Sequence, residues 1–216
     1  MSLGKTTRAS VLAGAFLMGS ALVSGCTSTT GGAATPAPSS PGASSEPTSD
    51  ANVPKVASPL DASKYESDPC GLVPADELAR LKFTDPGEPR QNDGSAENKA
   101  GPNCGWKIKG EGISLLVILG TGNRDRGGGG LAGIQADYER PNGVTKFLER
   151  APDVEGYPAI YWDTRDRRAT GNCSMAIGIA DDLAVSVVTG GYEGQQDSCD
   201  AAQGAAAGIV RTLKGA

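Results

Sequence analysis

Residues 173–189, CSMAIGIADDLAVSVVT, decide the fold of this chain. The runs 173–180 and 183–189 are apolar and contain β-branched residues, which is typical of strands. Asp181 and Asp182 interrupt the apolar pattern, and Asp is common in turns. The stretch therefore predicts two successive strands that are joined by a tight turn.

The rest of the sequence extends this pattern toward the N-terminus. Four further runs predict strands at 105–109, 113–120, 144–150 and 157–164. Start signals and apolar spacing predict helices at 72–81, 131–140 and 199–213, and the segment 84–103 is predicted to be a polar loop. The order helix, two strands, helix, four strands, helix indicates an α+β domain with an antiparallel sheet and helices packed on it.

The predicted C-terminal helix has Asp197 or Ser198 as its N-cap. The apolar side chains on one of its faces are Ala202, Ala206, Ile209 and Leu213. Gly204 and Gly208 have the spacing of a membrane dimer motif, but charged residues nearby exclude a membrane span. We therefore expect the two glycines to let the helix lie close to the sheet.

The N-terminus has the pattern of an exported lipoprotein. A basic start and an apolar run at 11–23 lead to the small residues Ser24 and Gly25, directly before Cys26. The run is too short for a transmembrane helix, which needs about 20 apolar residues. Residues 1–25 are predicted to be a signal peptide, and diacylglycerol on Cys26 is predicted to anchor the chain on the extracytoplasmic side of the cell membrane. A secretory signal followed by a spare thiol is the alternative.

A tether and one domain are predicted after the signal peptide. The segment 26–59 consists mainly of Ser, Thr, Gly, Ala and Pro, a composition that cannot bury enough apolar surface to fold. It predicts a disordered tether behind the lipid. The segment 60–216 has a length that suits a single core, and it is the predicted α+β extracytoplasmic domain.

The chain is acidic, with 20 basic and 25 acidic residues and a net charge of -5. Removal of residues 1–25 takes away Lys5 and Arg8 and no acidic residue, which leaves 18 basic against 25 acidic residues and a charge of -7. An acidic exterior opposes binding of nucleic acid. The expected partners are the membrane, through the lipid anchor, and an envelope protein or a small ligand.

The cysteines predict two disulfides. With Cys26 assigned to lipid, an even set remains in an oxidising compartment: Cys70, Cys104, Cys173 and Cys199. Of the three possible pairings we favour the local one, 70 with 104 and 173 with 199, because each bond joins a predicted helix to a nearby strand. Trp106 is expected to pack on the first bond. Zinc is the alternative, and the lack of histidine and of CxxC spacing disfavours it.

The absence of histidine also excludes Ser-His-Asp and Cys-His catalysis. Carboxylate chemistry remains, and its candidate residues are Asp163, Asp166, Asp181, Asp182 and Glu193. We expect these to be solvated loop charges, so no catalytic residue, metal or cofactor is assigned. The glycines at 127–130 lack the Gly-Lys-Ser/Thr of a phosphate-binding loop and predict a mobile loop.

Aromatic and arginine side chains are the candidate contact residues, because both types dominate binding energy at interfaces. The aromatic candidates are Tyr157, Tyr161 and Trp162, which alternate between the two faces of a predicted strand. The arginine candidates are Arg165, Arg167 and Arg168, which are expected at an exposed hairpin tip.

Three motifs carry a resemblance to a known family. Asp68-Pro69-Cys70 leads into a helix, Cys104-Gly105-Trp106 opens a strand, and Cys173 and Cys199 flank the last strands and the final helix. With the lipobox, these motifs resemble a family of actinobacterial lipoproteins known as domain of unknown function 3558. The resemblance implies an actinobacterial source and a domain similar in style to extracytoplasmic sensor domains, and it implies no activity.

These observations predict a non-catalytic binding or sensor-like module that is anchored in the cell envelope. The first alternative is an envelope hydrolase that uses carboxylates. The second is a carrier of hydrophobic molecules, which requires a large apolar cavity between the sheet and the helices.

Overall fold

The structure of the protein is a computed structural model that describes residues 53–95 and 98–215. The predicted signal peptide, Cys26 and the tether up to residue 52 lie outside the described residues. 

A single seven-stranded sheet forms the centre of the described domain, and every neighbouring pair of strands is antiparallel. Its strands are β1 (Glu88–Arg90), β2 (Asn103–Lys107), β3 (Ser114–Leu119), β4 (Phe147–Val154), β5 (Tyr157–Asp163), β6 (Cys173–Ala180) and β7 (Leu183–Gly190). The order across the sheet is β1-β2-β3-β7-β6-β5-β4. The predicted α+β fold with an antiparallel sheet is confirmed.

The stretch at 173–189 forms the hairpin β6–β7. Cys173 pairs with Thr189 at one end and Ala180 pairs with Leu183 at the other, so Asp181 and Asp182 make the predicted turn. β7 also pairs with β3, which places this hairpin at the middle of the sheet. The central position explains its nearly continuous apolar sequence, since both faces of the hairpin are largely covered.

Four α-helices accompany the sheet in the described domain: α1 (Ala75–Arg80), α2 (Thr121–Asp125), α3 (Gly130–Glu139) and α4 (Gln195–Lys214). Short 3-10 turns lie at Ser63–Tyr65, Pro69–Leu72 and Arg168–Thr170. The predicted first helix is thus a 3-10 turn followed by α1, while β1 and α2 were missed. Among the described helices, none has the length and apolar content needed to cross a bilayer.

The predicted start of the C-terminal helix is wrong by one turn. α4 begins at Gln195, with Gly194 in place of Asp197 or Ser198 at the N-cap. Ser198 lies inside the helix, where its hydroxyl donates to the carbonyl of Gly194 at 2.8 Å. Asp197 lies in the first turn, where a negative charge favours the helix dipole without capping it.

One face of the sheet, which we call the closed face, is covered by α4. Fully buried side chains of its central strands include Val117, Leu119, Met175, Ile177, Ile179, Val185 and Val187. Ala202, Ala206 and Ile209 of α4 are buried against them, as the predicted apolar face requires. The closed face holds the main core.

The two glycines of α4 meet another helix rather than the sheet. A β-carbon at Gly204 would overlap Arg80, and one at Gly208 would press on Pro74 and Glu77. The expectation that these glycines face the sheet is therefore wrong. They let α1 approach α4, and the buried Glu77 of α1 pairs with Arg80 at this contact.

Both disulfides have the predicted local pairing, Cys70 with Cys104 and Cys173 with Cys199. The first ties the turn before α1 to β2, and the second ties α4 to β6. The expected position of Trp106 is supported by Gly87, where a β-carbon would overlap both the Cys104 sulphur and the Trp106 ring.

The domain begins before residue 60. The backbone N–H of Val56 donates to Asp181 Oδ1 at 2.9 Å, and the N–H of Leu60 donates to the Ile179 carbonyl at 2.9 Å. Val56 is buried in the main core. Residues 53–59 are thus packed on the domain, and the predicted boundary after residue 59 lies too late, because the few apolar side chains in this polar segment find partners beside the β6–β7 turn.

Candidate functional site

The second face of the sheet, which we call the open face, is only partly covered. α3 packs across part of it through Leu131, which contacts Ile160, Ala176 and Ala184 in a small buried cluster. Leu116, Ile118 and Val188 alternate with closed-face residues on β3 and β7, and they are only half-buried. Sheet and helix therefore leave a groove between them.

This open-face groove has a volume of about 560 Å³. Its floor comes from the sheet, with Ile118, Trp162 and Ser186 among the lining side chains. Its walls come from residues 99–100, from α2 and α3, and from the loop after α3. The volume falls within the range of small-molecule sites, about 300–1,000 Å³.

Glycines hold one wall of the groove against the sheet. A β-carbon at Gly129 would overlap the carbonyl oxygen of Asp182, and one at Gly130, where φ is +67°, would overlap that of Asp181. The backbone between α2 and α3 thus packs directly on the β6–β7 turn. The predicted mobile loop at 127–130 is wrong for its second half, because the missing side chains serve close backbone packing.

Three basic side chains line the groove: Lys99, Arg126 and Arg140. Arg126 donates from Nη1 to the Lys99 carbonyl at 2.7 Å and from Nη2 to Asn123 Oδ1 at 2.8 Å. Both acceptors are neutral, so the contacts fix the guanidinium without cancelling its charge. Arg140 differs, because it pairs with Asp137.

Asp137 is the one acidic residue in the described lining of the groove. Burial opposes its ionisation, but the N–H of Thr145, at 2.8 Å, and the charge of Arg140 outweigh burial and hold the pKa of Asp137 below its usual value. The carboxylate is therefore ionised at neutral pH and engaged with the wall. The groove as a whole stays positive in an acidic chain.

Apolar side chains complete the groove. Ile118, Ile134 and Trp162 line it, and Val144 on its edge is 69% exposed. The indole Nε1 of Trp162 is buried and has no hydrogen-bond partner within the described structure. The groove thus combines a partly solvent-exposed apolar surface with a fixed positive charge.

The sequence profile of one family matches residues 21–212, and the family is described as protein of unknown function (DUF3558). The chain belongs to this family. No curated protein and no solved structure matches the chain. The DUF3558 match confirms the resemblance drawn from the cysteine motifs, while the actinobacterial source stays a prediction.

In this DUF3558 domain the three aromatic candidates lie on different faces. Tyr157 and Tyr161 are buried on the closed face, where the Tyr157 hydroxyl donates to the Ser58 carbonyl at 2.8 Å and Gln203 Nε2 donates to the Tyr161 hydroxyl at 2.7 Å. Trp162 alone lines the groove. The strand alternation that the sequence predicts is present, but the structure does not bring the three rings together.

The arginine candidates are also separated. Arg168 is buried, contrary to the expected exposed tip: it pairs with Glu149 and Asp166 and lies over the rings of Phe147 and Tyr161. Its hydrogen bonds to Asp166 and Glu149 raise the pKa of the guanidinium further above its usual value. 

Arg167 is half-buried and pairs with Asp163, which leaves Arg165 as the exposed member of the three. A long apolar stem and a planar head let an arginine be buried where carboxylates are at hand.

The candidate catalytic carboxylates lie outside the groove. Asp163 is buried at the end of β5 and pairs with Arg167, so the expectation of a solvated loop charge is wrong for this residue. Asp166 pairs with Arg168, and Asp181 accepts the Val56 N–H. Asp182 and Glu193 are exposed. The structure does not gather the five into one cleft lining.

Lys99, Arg126 and Arg140 were not predicted as site residues, because the first two lie in loop-like segments and Arg140 is the last residue of a predicted helix. One signal was present: seven glycines fall between residues 120 and 133, a density typical of close backbone approach. It indicated packing without indicating what the packed wall would enclose.

Proposed function

We propose that this protein is a membrane-anchored, extracytoplasmic binding or sensor-like module, and that the open-face groove holds its ligand. The observation that carries this proposal is the groove itself: a cavity of about 560 Å³ with basic side chains in a chain of net charge -5. A concave site with a few placed polar groups is the usual form of a small-molecule site.

Binding without chemistry fits the side chains present. Among the described residues, the groove lining contains one carboxylate, Asp137, which is paired with Arg140. A carboxylate hydrolase needs two carboxyl groups that flank the scissile bond. The groove therefore favours binding over the hydrolase alternative.

On the closed face the described core side chains are tightly buried under α4, and this burial does not favour the carrier alternative. The open-face groove is half polar in character, because basic and amide side chains share it with isoleucine and tryptophan. A ligand of purely hydrocarbon character would leave those polar groups without partners.

The location is proposed from sequence chemistry. The motif that ends at Cys26 supports lipidation, and two disulfides support an oxidising compartment. Two acyl chains suffice for stable anchoring. The packed segment that starts at residue 53 leaves the stretch 27–52 as the link between the anchor and the domain.

The test is native purification of the full chain from the cell envelope, followed by mass spectrometry of bound small molecules. Ser186→Phe places a large ring on the groove floor, and we expect it to abolish recovery of the ligand. Ala169→Phe, at an exposed position outside the groove, is the matched control and should recover it.

Equal recovery from the parent and from Ser186→Phe would contradict binding in the groove. In the same experiment Cys26→Ala should move the chain from the membrane fraction to the soluble fraction, with an unchanged melting temperature. Retention in the membrane of a Cys26→Ala chain from which residues 1–25 have been cleaved would contradict anchoring through Cys26 alone.

A further inference from the structure

We infer that the ligand of the open-face groove is a small anionic amphiphile, with a hydrocarbon body and one carboxylate or phosphate headgroup. This inference rests on the proposed function, because it names the class of molecule that occupies the same groove. Three features of the groove carry it: its charge, the way Arg126 is held, and its incompletely buried apolar side chains.

The charge of the groove selects an anion. Three basic side chains line it against one acidic side chain, although the whole chain has 20 basic and 25 acidic residues. The acidic side chain, Asp137, already pairs with Arg140. Lys99 and Arg126 have no carboxylate at ion-pair distance in the part of the chain that the structure describes.

Arg126 is prepared for an anionic group. Its contacts with the Lys99 carbonyl and Asn123 Oδ1 use two of the five N–H donors of a guanidinium. The remaining donors match the forked geometry of carboxylate and phosphate. Since the side chain is already fixed, binding an anion costs little further rotamer entropy.

The apolar part of the groove selects a hydrocarbon body. Ile118, Ile134 and Trp162 line it beside the basic residues, and the 69%-exposed Val144 extends the apolar surface at the edge. Exposed apolar side chains beside a cavity are typical of binding surfaces. A free inorganic ion would leave this surface wet, and a neutral hydrocarbon would leave the basic side chains without a partner.

The first experiment is calorimetric titration of the purified full chain with alkyl probes below their micelle concentrations. The probes are dodecyl phosphate, dodecanoate, dodecanol and dodecyltrimethylammonium, with inorganic phosphate as the headgroup alone. We expect both anionic probes to bind at least about tenfold more tightly than dodecanol, since a charge-assisted hydrogen bond is worth about that factor. The cationic probe and inorganic phosphate should bind more weakly still.

The variants locate the headgroup. Arg126→Gln should weaken dodecyl phosphate binding about tenfold and leave dodecanol binding unchanged. Lys99→Gln is the second variant, because the exposed Lys99 side chain makes no hydrogen bond in the described structure and its replacement removes none. Arg165→Gln is the matched control: Arg165 is an exposed arginine outside the groove.

Several results would overturn the inference. If dodecanol binds as tightly as dodecyl phosphate, the groove does not require an anionic headgroup. If inorganic phosphate binds as tightly as dodecyl phosphate, the groove does not require a hydrocarbon body. Loss of affinity in Arg165→Gln but not in Arg126→Gln or Lys99→Gln would place the binding site at residues 165–168 instead of the groove. A further outcome is that no alkyl probe binds, while Ser186→Phe still abolishes recovery of the small molecule that co-purifies with the parent chain. In that case the inferred ligand class is wrong and the proposed function stands.

Discussion

The two faces of the sheet are made by the same strands, yet they have opposite properties. On the closed face, α4 covers the strands along their middle, and side chains such as Ile177 and Val187 are fully buried. On the open face, the ten-residue α3 covers only part of the sheet, and Ile118 stays half-buried beside the groove. Helix coverage, rather than strand composition, separates the two faces.

The arginines on the two faces also differ in whether a carboxylate neutralises their charge. Arg168 is buried at the closed face with Glu149 and Asp166 as partners, whereas Arg126 lies in the groove and contacts only neutral acceptors. A buried charge requires a counter-charge, while a charge at a solvent-filled groove does not. The closed face therefore contributes stability, and the open face keeps a positive charge that no described carboxylate neutralises.

The comparison is tested most strongly by a matched pair of isoleucines. Ile177→Ala on the closed face should lower the free energy of unfolding by about 2–5 kcal/mol, because it leaves a cavity in a tightly packed core. Ile118→Ala on the open face should cost only about 1 kcal/mol, because the side chain is half-buried and the site is already open. Urea denaturation measures both values, and equal losses would show that the two faces are packed alike.

A second pair tests whether the groove wall is fixed by its backbone. Gly129→Ala should destabilise the chain by about 1–3 kcal/mol, because the new methyl group overlaps the Asp182 carbonyl. The neighbouring Gly128→Ala is the control: nothing there lies closer than 3.9 Å to an added β-carbon. It should be neutral or raise stability by up to about 1 kcal/mol. Thermal melting of the two variants decides the matter, and two neutral results would restore the mobile loop.

The smallest effect concerns the charges. The hydrogen bond from Arg168 holds the pKa of Asp166 below its usual value of about 3.9. The stability that the Asp166 carboxylate contributes is therefore present above that pH, and it is lost as the pH falls through the folded-state pKa. Asp166→Asn should therefore cost less than about 1 kcal/mol at pH 7, since the carboxylate is partly exposed, and the difference from the parent should shrink in acid.

The groove supplies the control for this prediction. Arg126→Gln removes a charge that has no described carboxylate partner, so its effect on stability should be independent of pH. Denaturation curves of both variants across pH 2–7 give the comparison, at roughly the range where carboxylates titrate. A pH-independent difference for Asp166→Asn would mean that the Asp166 carboxylate contributes nothing to holding Arg168, which also pairs with Glu149.

The fold could be predicted where a segment carries its own pattern. The hairpin at 173–189 has an apolar sequence interrupted by Asp181-Asp182, and α4 has a periodic apolar face. β1 could not be predicted, because three exposed residues around Pro89 have no alternation to detect. α4 was placed too late because its first residues, such as Gln195 and Gln196, are polar.

The groove could not be predicted from the sequence for a different reason. Lys99, Arg126, Arg140 and Trp162 come from separate parts of the chain, and only the packing of α2 and α3 on the sheet brings them together. Which face Trp162 occupies depends on strand register, as does the burial of Tyr161. Pairs of residues that the fold separates, such as Arg165 and Arg168, look equivalent in the sequence.

The contact between the glycine segment and the β6–β7 turn has a consequence for evolution. It joins main chain to main chain, at Gly129 with Asp182 and at Gly130 with Asp181, so it does not depend on the side chains around the groove. Substitutions at Lys99, Arg126 or Val144 can change the charge and shape of the groove and leave this backbone contact as it is. Such a division lets the lining of the groove diverge by single replacements, with little selective cost in folding.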